Sequence, residues 1–338
     1  MPSYSPSPHY RLQGPYRLGV LLVNSGTPDA LTTAAVRNFL RQLLRDRRTI
    51  EVSRAIWCWI LYFIILPLRP LRVVPKYRRV FTAEGSPLLL ISRRLQAALE
   101  AYLCEQYGVP VAVELGMHYS TPSVAAGLAA LRERGAQRIV VLPLFPQYSG
   151  STAGAAYDQV GKALRDWRFL PELRLIPDYH LDAGYLDALA EDIQAWRAAH
   201  PGGEHLLLSF HGIPASYVQD GDPYEQKCLQ TAAAIAARLG LADSQWSVSF
   251  QSRVGTARWV GPYTDNVVRD LAQRGIRLLD VACPGFAIDC LETIDEMGVE
   301  AAELFQHAGG TALRYIPALN DSPRHVRALA GLITQHAQ

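Results

Sequence analysis

The chain has 338 residues, 49% apolar and 19% charged, enough for about two domains of ordinary size and unlike a disordered or fibrous protein. Its net charge of +2 conceals a split: residues 1–80 hold 13 Lys/Arg against 3 Asp/Glu, a net +10, and the remainder holds 20 against 28, a net −8. No unbroken apolar run reaches the roughly 18 residues of a spanning helix, and five cysteines are too few and too odd in number for a disulfide framework, so a reducing compartment is expected.

Residues 1–16 are rich in Pro, Ser and Tyr and lack both a secretory apolar core and an Arg-rich transit pattern, so a cytoplasmic, bacterial protein is expected. The first predicted strand, 18–23, runs into Asn24-Ser25-Gly26-Thr27-Pro28. This is a tight turn, but no G-x-G-x-x-G or Walker-type loop occurs anywhere, which disfavours a dinucleotide or P-loop site. Residues 55–66 are then apolar without interruption, preceded by Arg54 and followed by Arg69, Arg72, Lys76, Arg78 and Arg79. Such a segment is either a buried core helix or an interfacial lip flanked by cations that anionic lipids attract. A strand at 111–116 leads to His118 and Tyr119, and a helix follows at 123–134. The strand at 138–144 leads to the polar cluster Gln147-Tyr148-Ser149-Gly150-Ser151-Thr152, suited to capping a helix and holding an acid group. A strand at 173–177 and a helix at 184–200 close the first half.

The second half repeats the alternation, with strands at 205–210, 246–250, 276–282 and 313–317 and helices at 223–239 and 265–274. Several strands are near-continuous Val/Ile/Leu, as parallel strands covered on both faces require, so the fold class is α/β with doubly wound parallel sheets. Arg134-Gly135-Ala136-Gln137-Arg138 is echoed by Arg274-Gly275-Ile276-Arg277-Leu278, and Ile176-Pro177 by Ile316-Pro317. An internal duplication of a four-strand unit follows. Domains are expected at 15–200, with the apolar lip at 55–79, and at 201–338, with the seam at Pro201-Gly202-Gly203. The terminal helix of each half has a second place open to it, on the opposite domain.

Ligands of open α/β sheets sit beyond the carboxyl ends of strands, so residues just after strands carry the functional weight. His211 follows the fifth strand, with Gly212 and Pro214 fixing the backbone; an imidazole there is structural, or it takes a proton or binds a metal. After the seventh strand, Glu292, Glu296 and Glu300 stand at i, i+4 and i+8. On a helix they form one stripe, either a solvated acidic face or a set of carboxylates that attracts a hard cation. Cys283 and Cys290 have no second pair to complete a zinc site, and no G-x-S-x-G elbow or nucleic-acid module is present.

The ordered motifs Leu22-x-Asn24-x-Gly26-Thr27-Pro28-Asp29, Gly85-Ser86-Pro87, Pro146-Gln147-Tyr148-Ser149, Ser209-x-His211-Gly212-x-Pro214, Gly221-Asp222-Pro223-Tyr224, Gln251-Ser252-Arg253-Val254-Gly255, Trp259-x-Gly261-Pro262-x-Thr264-Asp265 and Asp289-x-Leu291-Glu292-Thr293 span about residues 18 to 332. In this order they resemble the ferrochelatases, which insert Fe2+ into protoporphyrin IX to give protohaem. The resemblance implies two Rossmann-like, chelatase-type domains with the porphyrin in the cleft between them. It gives His211 and Glu292 catalytic roles and assigns His211, Glu292, Glu296 and Glu300 to the metal. Tyr77, Ser86, His118, Tyr119 and Trp259 fall at porphyrin-pocket positions. His118 replaces an arginine of some members. Cys290 replaces a histidine of many, which implies a ligand altered or absent there. Ser25 replaces the tyrosine that marks coproporphyrin-using members, which favours protoporphyrin. Gly150 replaces a cysteine of iron–sulfur members and the chain ends at Gln338 without a cysteine-bearing tail, so the bacterial type without an iron–sulfur cluster is expected, with no permanently bound cofactor.

The chemistry suits these residues. Metal insertion releases two N–H protons, needs a bent ring, and needs an ion delivered without being trapped. An imidazole with carboxylates releases Fe2+ where a thiolate cage would hold it. The basic N-terminal quarter suits the propionates, and the apolar lip suits a ring that partitions into membranes. The partners the resemblance implies are protoporphyrin IX and Fe2+, with no nucleic acid, and peripheral contact with the inner face of the cytoplasmic membrane through 55–79 is an expectation. Alternatives are a coproporphyrin ferrochelatase, another tetrapyrrole metal chelatase, and a non-catalytic haem or porphyrin carrier.

Overall fold

The computed structural model describes residues 18–337. The segment read for targeting signals, 1–16, and the expected domain start at 15 lie outside the described residues. Contacts group the chain into two units: the first takes residues up to 145 with 149–178 and 321–338, the second 146–148 with 179–320.

The first unit begins with β1 (Leu18–Asn24), in which Val20, Leu21, Leu22 and Val23 have no solvent exposure. Helix α1 (Thr33–Arg45) is capped by Thr32, whose hydroxyl accepts from the Ala35 N–H at 3.2 Å. The segments α2 (Arg54–Ile60), a π-helical turn (Leu61–Ile65) and α3 (Leu66–Val80) then run as one helix over Arg54–Val80. Its inner face buries Leu61, Leu66, Pro70, Tyr77 and Val80, and α3 packs on α1. Pro70 has no N–H to give the Leu66 carbonyl, and the Arg37 guanidinium supplies the missing donor at 3.1 Å. The Trp57 indole donates to the Leu44 carbonyl at 2.6 Å. Its outer face is apolar and exposed: Ile56 is 60% exposed, Trp59 59%, Phe63 70% and Leu71 60%. The reading of residues 55–66 as a buried core helix is thus corrected. Counting unbroken apolar residues also stopped short, because the helix continues through Arg69 and Arg72; among the described residues it is one helix long and apolar enough to cross a membrane. Its fastening to α1 lays it along the unit's body.

Helix α4 (Pro87–Tyr107) ends at Gly108 in the left-handed region, φ +62°. Strand β2 (Ala112–Met117) is followed by α5 (Val124–Glu133), capped by Ser123. A Cβ on Gly127 of α5 would lie 2.6 Å from a Leu21 methyl, so the glycine lets this helix close on the sheet. Strand β3 (Arg138–Pro143), a π-helical turn (Gly150–Gly154) continuing into α6 (Ala155–Leu164), and β4 (Glu172–Leu175) complete a parallel sheet of order β2-β1-β3-β4.

The second unit takes α7 (Ala183–Ala199), capped by Asp182, and β5 (His205–His211), α8 (Ala215–Gln219), α9 (Tyr224–Arg238) and β6 (Trp246–Gln251). It continues with α10 (Thr264–Gln273), β7 (Leu278–Ala282), α11 (Leu291–Ile294), a π-helical segment (Glu296–Ala301), α12 (Ala302–His307) and β8 (Ala312–Tyr315). Its parallel sheet has the order β6-β5-β7-β8, the first sheet's order repeated, as duplication requires. Asp280 on β7 is fully buried and bridged by Arg197 at 2.9 Å and Arg314 at 2.6 Å. Glycine alone fits at 203, where a Cβ would fall 1.9 Å from the Asp280 carboxylate.

The last helix, α13 (Pro323–Ala337), belongs to the first unit, where it packs on α4 and β3 and is tied by Arg94 to Asp321 at 2.6 Å. Helix α7 belongs to the second unit, packed on α9. The grouping gives each terminal helix the second of its two expected places, with the other half, rather than a single cut at 200/201. Each terminal helix reads as amphipathic, but its sequence does not state which sheet its apolar face covers.

Candidate active site

The second unit assembles the centre. His211 is the last residue of β5, half-buried, and pairs in register with Gln251, the last residue of β6. Its Nδ1 lies 2.6 Å from the Gly212 carbonyl oxygen. A carbonyl only accepts, so Nδ1 carries the hydrogen, and the lone pair of the uncharged ring form is then the one on Nε2. Gly212 N–H donates to the Gln251 carbonyl at 2.8 Å, and a Cβ on Gly212 would sit 3.0 Å from that oxygen and 3.3 Å from the Trp259 ring. The strip 213–215 is stitched to 258–260 by the Val260 N–H on Ile213 and the Ala215 N–H on Arg258, both 2.9 Å. Trp259 is thereby held beside Gly212, its indole donating to the Val254 carbonyl at 2.9 Å. A groove of about 490 Å³ beside it is lined by Trp259, Arg258 and Tyr263 among others, but by neither His211 nor Glu292.

The glutamates follow β7. The Phe286 ring lies 6.4 Å from the His211 ring, between the strand and α11. Asp289 is buried and anchors the start of α11: it accepts from Thr293 at 2.9 Å and Asn320 at 2.7 Å, and from the Tyr315 hydroxyl. Glu292, Glu296 and Glu300 are all half-buried, while Thr293, Asp295 and Met297 between them are buried. A freely solvated acidic face is therefore not what the helix presents. Nor is the helix regular: the Glu300 N–H donates to the Asp295 carbonyl at 2.9 Å, an i→i+5 bond that opens the π segment.

Two residues without a role in the sequence reading tie this helix to β6. The Gln251 amide donates to the Glu292 carbonyl at 2.7 Å while its oxygen accepts from Ser209 at 2.8 Å. The Ser252 hydroxyl donates to the Glu296 carboxylate. Their signal in the sequence was position: Gln251 ends β6 and Ser252 follows it.

The assignment of His211, Glu292, Glu296 and Glu300 to the metal stays what the resemblance implies. Among the described residues no three His, Cys, Asp or Glu side chains are grouped to hold a metal ion. Glu292, Glu296 and Glu300 stand one helical turn apart in sequence, as neighbours in a row rather than as a closed cage. Thiolate ligation is disfavoured too. Burial, and then the Glu292 carboxylate, push the Cys290 thiol well above its ordinary range; burial, Asp289 and Glu296 do the same for Cys283.

The first unit holds the remaining expected residues. The backbone N–H groups of His118 and Tyr119 donate to Asn24 at 2.9 Å and Ser25 at 3.1 Å, so the loops after β2 and β1 run side by side. The His118 ring is buried edge-on to Tyr119 and near Phe145, its Nε2 without a hydrogen-bond partner, and burial lowers its pKa to about 3. The Tyr119 hydroxyl donates to Asp46 at 2.9 Å and lies 3.2 Å from Thr49. Tyr77 is buried in α3 edge-on to Phe81, and Ser86 heads α4. The structure thus pairs His118 with Tyr119 and leaves Tyr77 and Ser86 on other elements.

The fold is shared with solved chelatases at low identity. SirB of Bacillus subtilis, solved with Fe3+, matches at a TM-score of 0.52 and 12% identity over 95% of this chain and 96% of its own. CbiX, the terminal enzyme of sirohaem biosynthesis in denitrifying bacteria, matches at 0.52 and 15% over 94% and 98%. Sequence relatives are nearer. The ferrochelatase of Thioalkalivibrio sulfidiphilus is 52% identical over 97% of this chain and 89% of its own, and that of Aeromonas hydrophila 49% over 94% and 98%. Ferrochelatase 1 of Shewanella oneidensis is 45% identical over 99% and 98%. Since the ferrochelatase family pattern also matches residues 17–337, essentially everything the structure describes, the chain belongs to the ferrochelatases, the metal-chelating enzymes of haem biosynthesis.

Proposed function

We propose that the chain inserts Fe2+ into protoporphyrin IX to give protohaem and two protons, with His211 and Glu292 as the proton acceptors. Two pyrrole N–H bonds break, iron–nitrogen bonds replace them, and the iron stays ferrous. The observation that carries the reading is the His211 tautomer: Nδ1–H is committed to the Gly212 carbonyl, which turns the Nε2 lone pair to a proton or the ion. Glu292 stands in a half-buried row one turn from Glu296 and two from Glu300, an open line that passes a divalent ion along. Trp259 offers an aromatic edge beside Gly212. The pocket roles of Tyr77, Ser86, His118 and Tyr119 rest on the resemblance.

Ser25 supports protoporphyrin over coproporphyrin, and Gly150 supports an enzyme without an iron–sulfur cluster. The exposed apolar face of Arg54–Val80, with exposed Arg72 and Arg78 in the same helix, supports peripheral contact with the cytoplasmic membrane, and five unpaired cysteines suit the cytoplasm.

Anaerobic incubation with protoporphyrin IX and Fe2+, followed by loss of porphyrin fluorescence, tests the reading. The parent chain turns over, and His211→Ala and Glu292→Ala each lose at least about 100-fold in kcat. Normal turnover in either variant removes that residue from the chemistry. Tight porphyrin binding without turnover by the parent makes the protein a carrier, and preference for coproporphyrin makes it the alternative chelatase.

A further inference from the structure

We propose that Ser252 is a positioning residue for the metal substrate, acting through Glu296. Ser252 follows the last residue of β6 and has φ +65°, a left-handed conformation that disfavours a residue with a Cβ. A glycine takes that backbone without strain. What serine adds is a hydroxyl, and it donates to the Glu296 carboxylate. The preceding residue, Gln251, holds the Glu292 carbonyl at 2.7 Å. Consecutive residues of one strand end thus fasten consecutive turns of the carboxylate row, and Gln251 is the register partner of His211. Glu296 also opens the π segment, where a regular helical ladder no longer fixes the backbone from which its side chain projects. The Ser252 hydrogen bond therefore aims the Glu296 carboxylate. The inference rests on the reading of Glu296 as part of the metal's route.

Steady-state kinetics of the full chain, with Fe2+ and protoporphyrin varied in turn, test it in Ser252→Gly, Ser252→Ala and Glu296→Gln. Both Ser252 variants lack the hydroxyl, but only glycine relieves the backbone. They share a rise of about fivefold in KM for Fe2+, with KM for porphyrin unchanged, while the glycine variant melts at a higher temperature than the alanine one. A purely structural role makes the iron KM follow the melting temperature instead. An iron KM in Ser252→Gly within about twofold of the parent, with Glu296→Gln raised, overturns the proposal and leaves Glu296 in place. An unchanged iron KM in Glu296→Gln removes the metal-route reading and this proposal with it.

Discussion

His211 is half-buried with one ring nitrogen fixed on a carbonyl, whereas His118 is enclosed by Tyr119 and Phe145. The second surrounding suppresses protonation, since a buried imidazolium loses its hydration. With burial holding the His118 pKa near about 3 against 6.5 in an open chain, the unfolded protein binds a proton across that interval that the folded protein refuses. His118 therefore makes stability fall as pH drops below about 6.5, and at about pH 5 its share of the loss is about 2 kcal/mol. Urea unfolding of the parent and of His118→Phe checks this. Relative to the variant, the parent loses about 2 kcal/mol more between about pH 7 and pH 5. Parallel losses in the two proteins would show that the folded state protonates His118 freely.

The helix Arg54–Val80 and the helix carrying the glutamates both depart from regular α geometry through a π segment. In the first, the inner face is seated on α1 and the outer one carries Ile56, Trp59, Phe63 and Leu71. An apolar stripe so large and so exposed, on a helix whose second half carries exposed Arg72 and Arg78, supports the proposed interfacial contact over a spanning helix. Co-sedimentation with anionic vesicles measures it. Burying one large apolar side chain contributes about 1.5–3 kcal/mol, so Trp59→Ser with Phe63→Ser lowers vesicle binding by more than about tenfold. Neutral vesicles bind more weakly, because each nearby cation adds about 1 kcal/mol on an anionic surface. Binding indifferent to both changes excludes the lip as a membrane contact.

Both sheets were legible in the sequence because short Val/Ile/Leu runs alternating with amphipathic stretches admit few arrangements other than parallel strands with crossovers. The places of His211 and Glu292 were legible for a related reason: the first ends β5 and the second lies in the stretch after β7, and such sheets keep their ligands beyond the carboxyl ends of strands. Gln251 and Ser252 had no legible role, since their hydrogen bonds span 41 and 44 residues and nothing local announces the partner. The π segment was equally hidden, because i, i+4 spacing reads the same on either helix. The allotment of the terminal helices follows that logic: periodicity gives α13 an apolar face but not its destination. Within the first unit α13 buries Val326, Leu329, Leu332 and Ile333. At about 1.5–3 kcal/mol for each side chain, their loss rivals the ~5–15 kcal/mol that holds a whole domain folded. A chain ending at Asn320 therefore loses its first unit although it retains every strand of that sheet. Limited proteolysis with mass mapping reads the result: cleavage sites open within 18–178 while 179–320 stays protected. If 18–178 remained as resistant as in the parent, α13 would be an appendage rather than part of that unit's core.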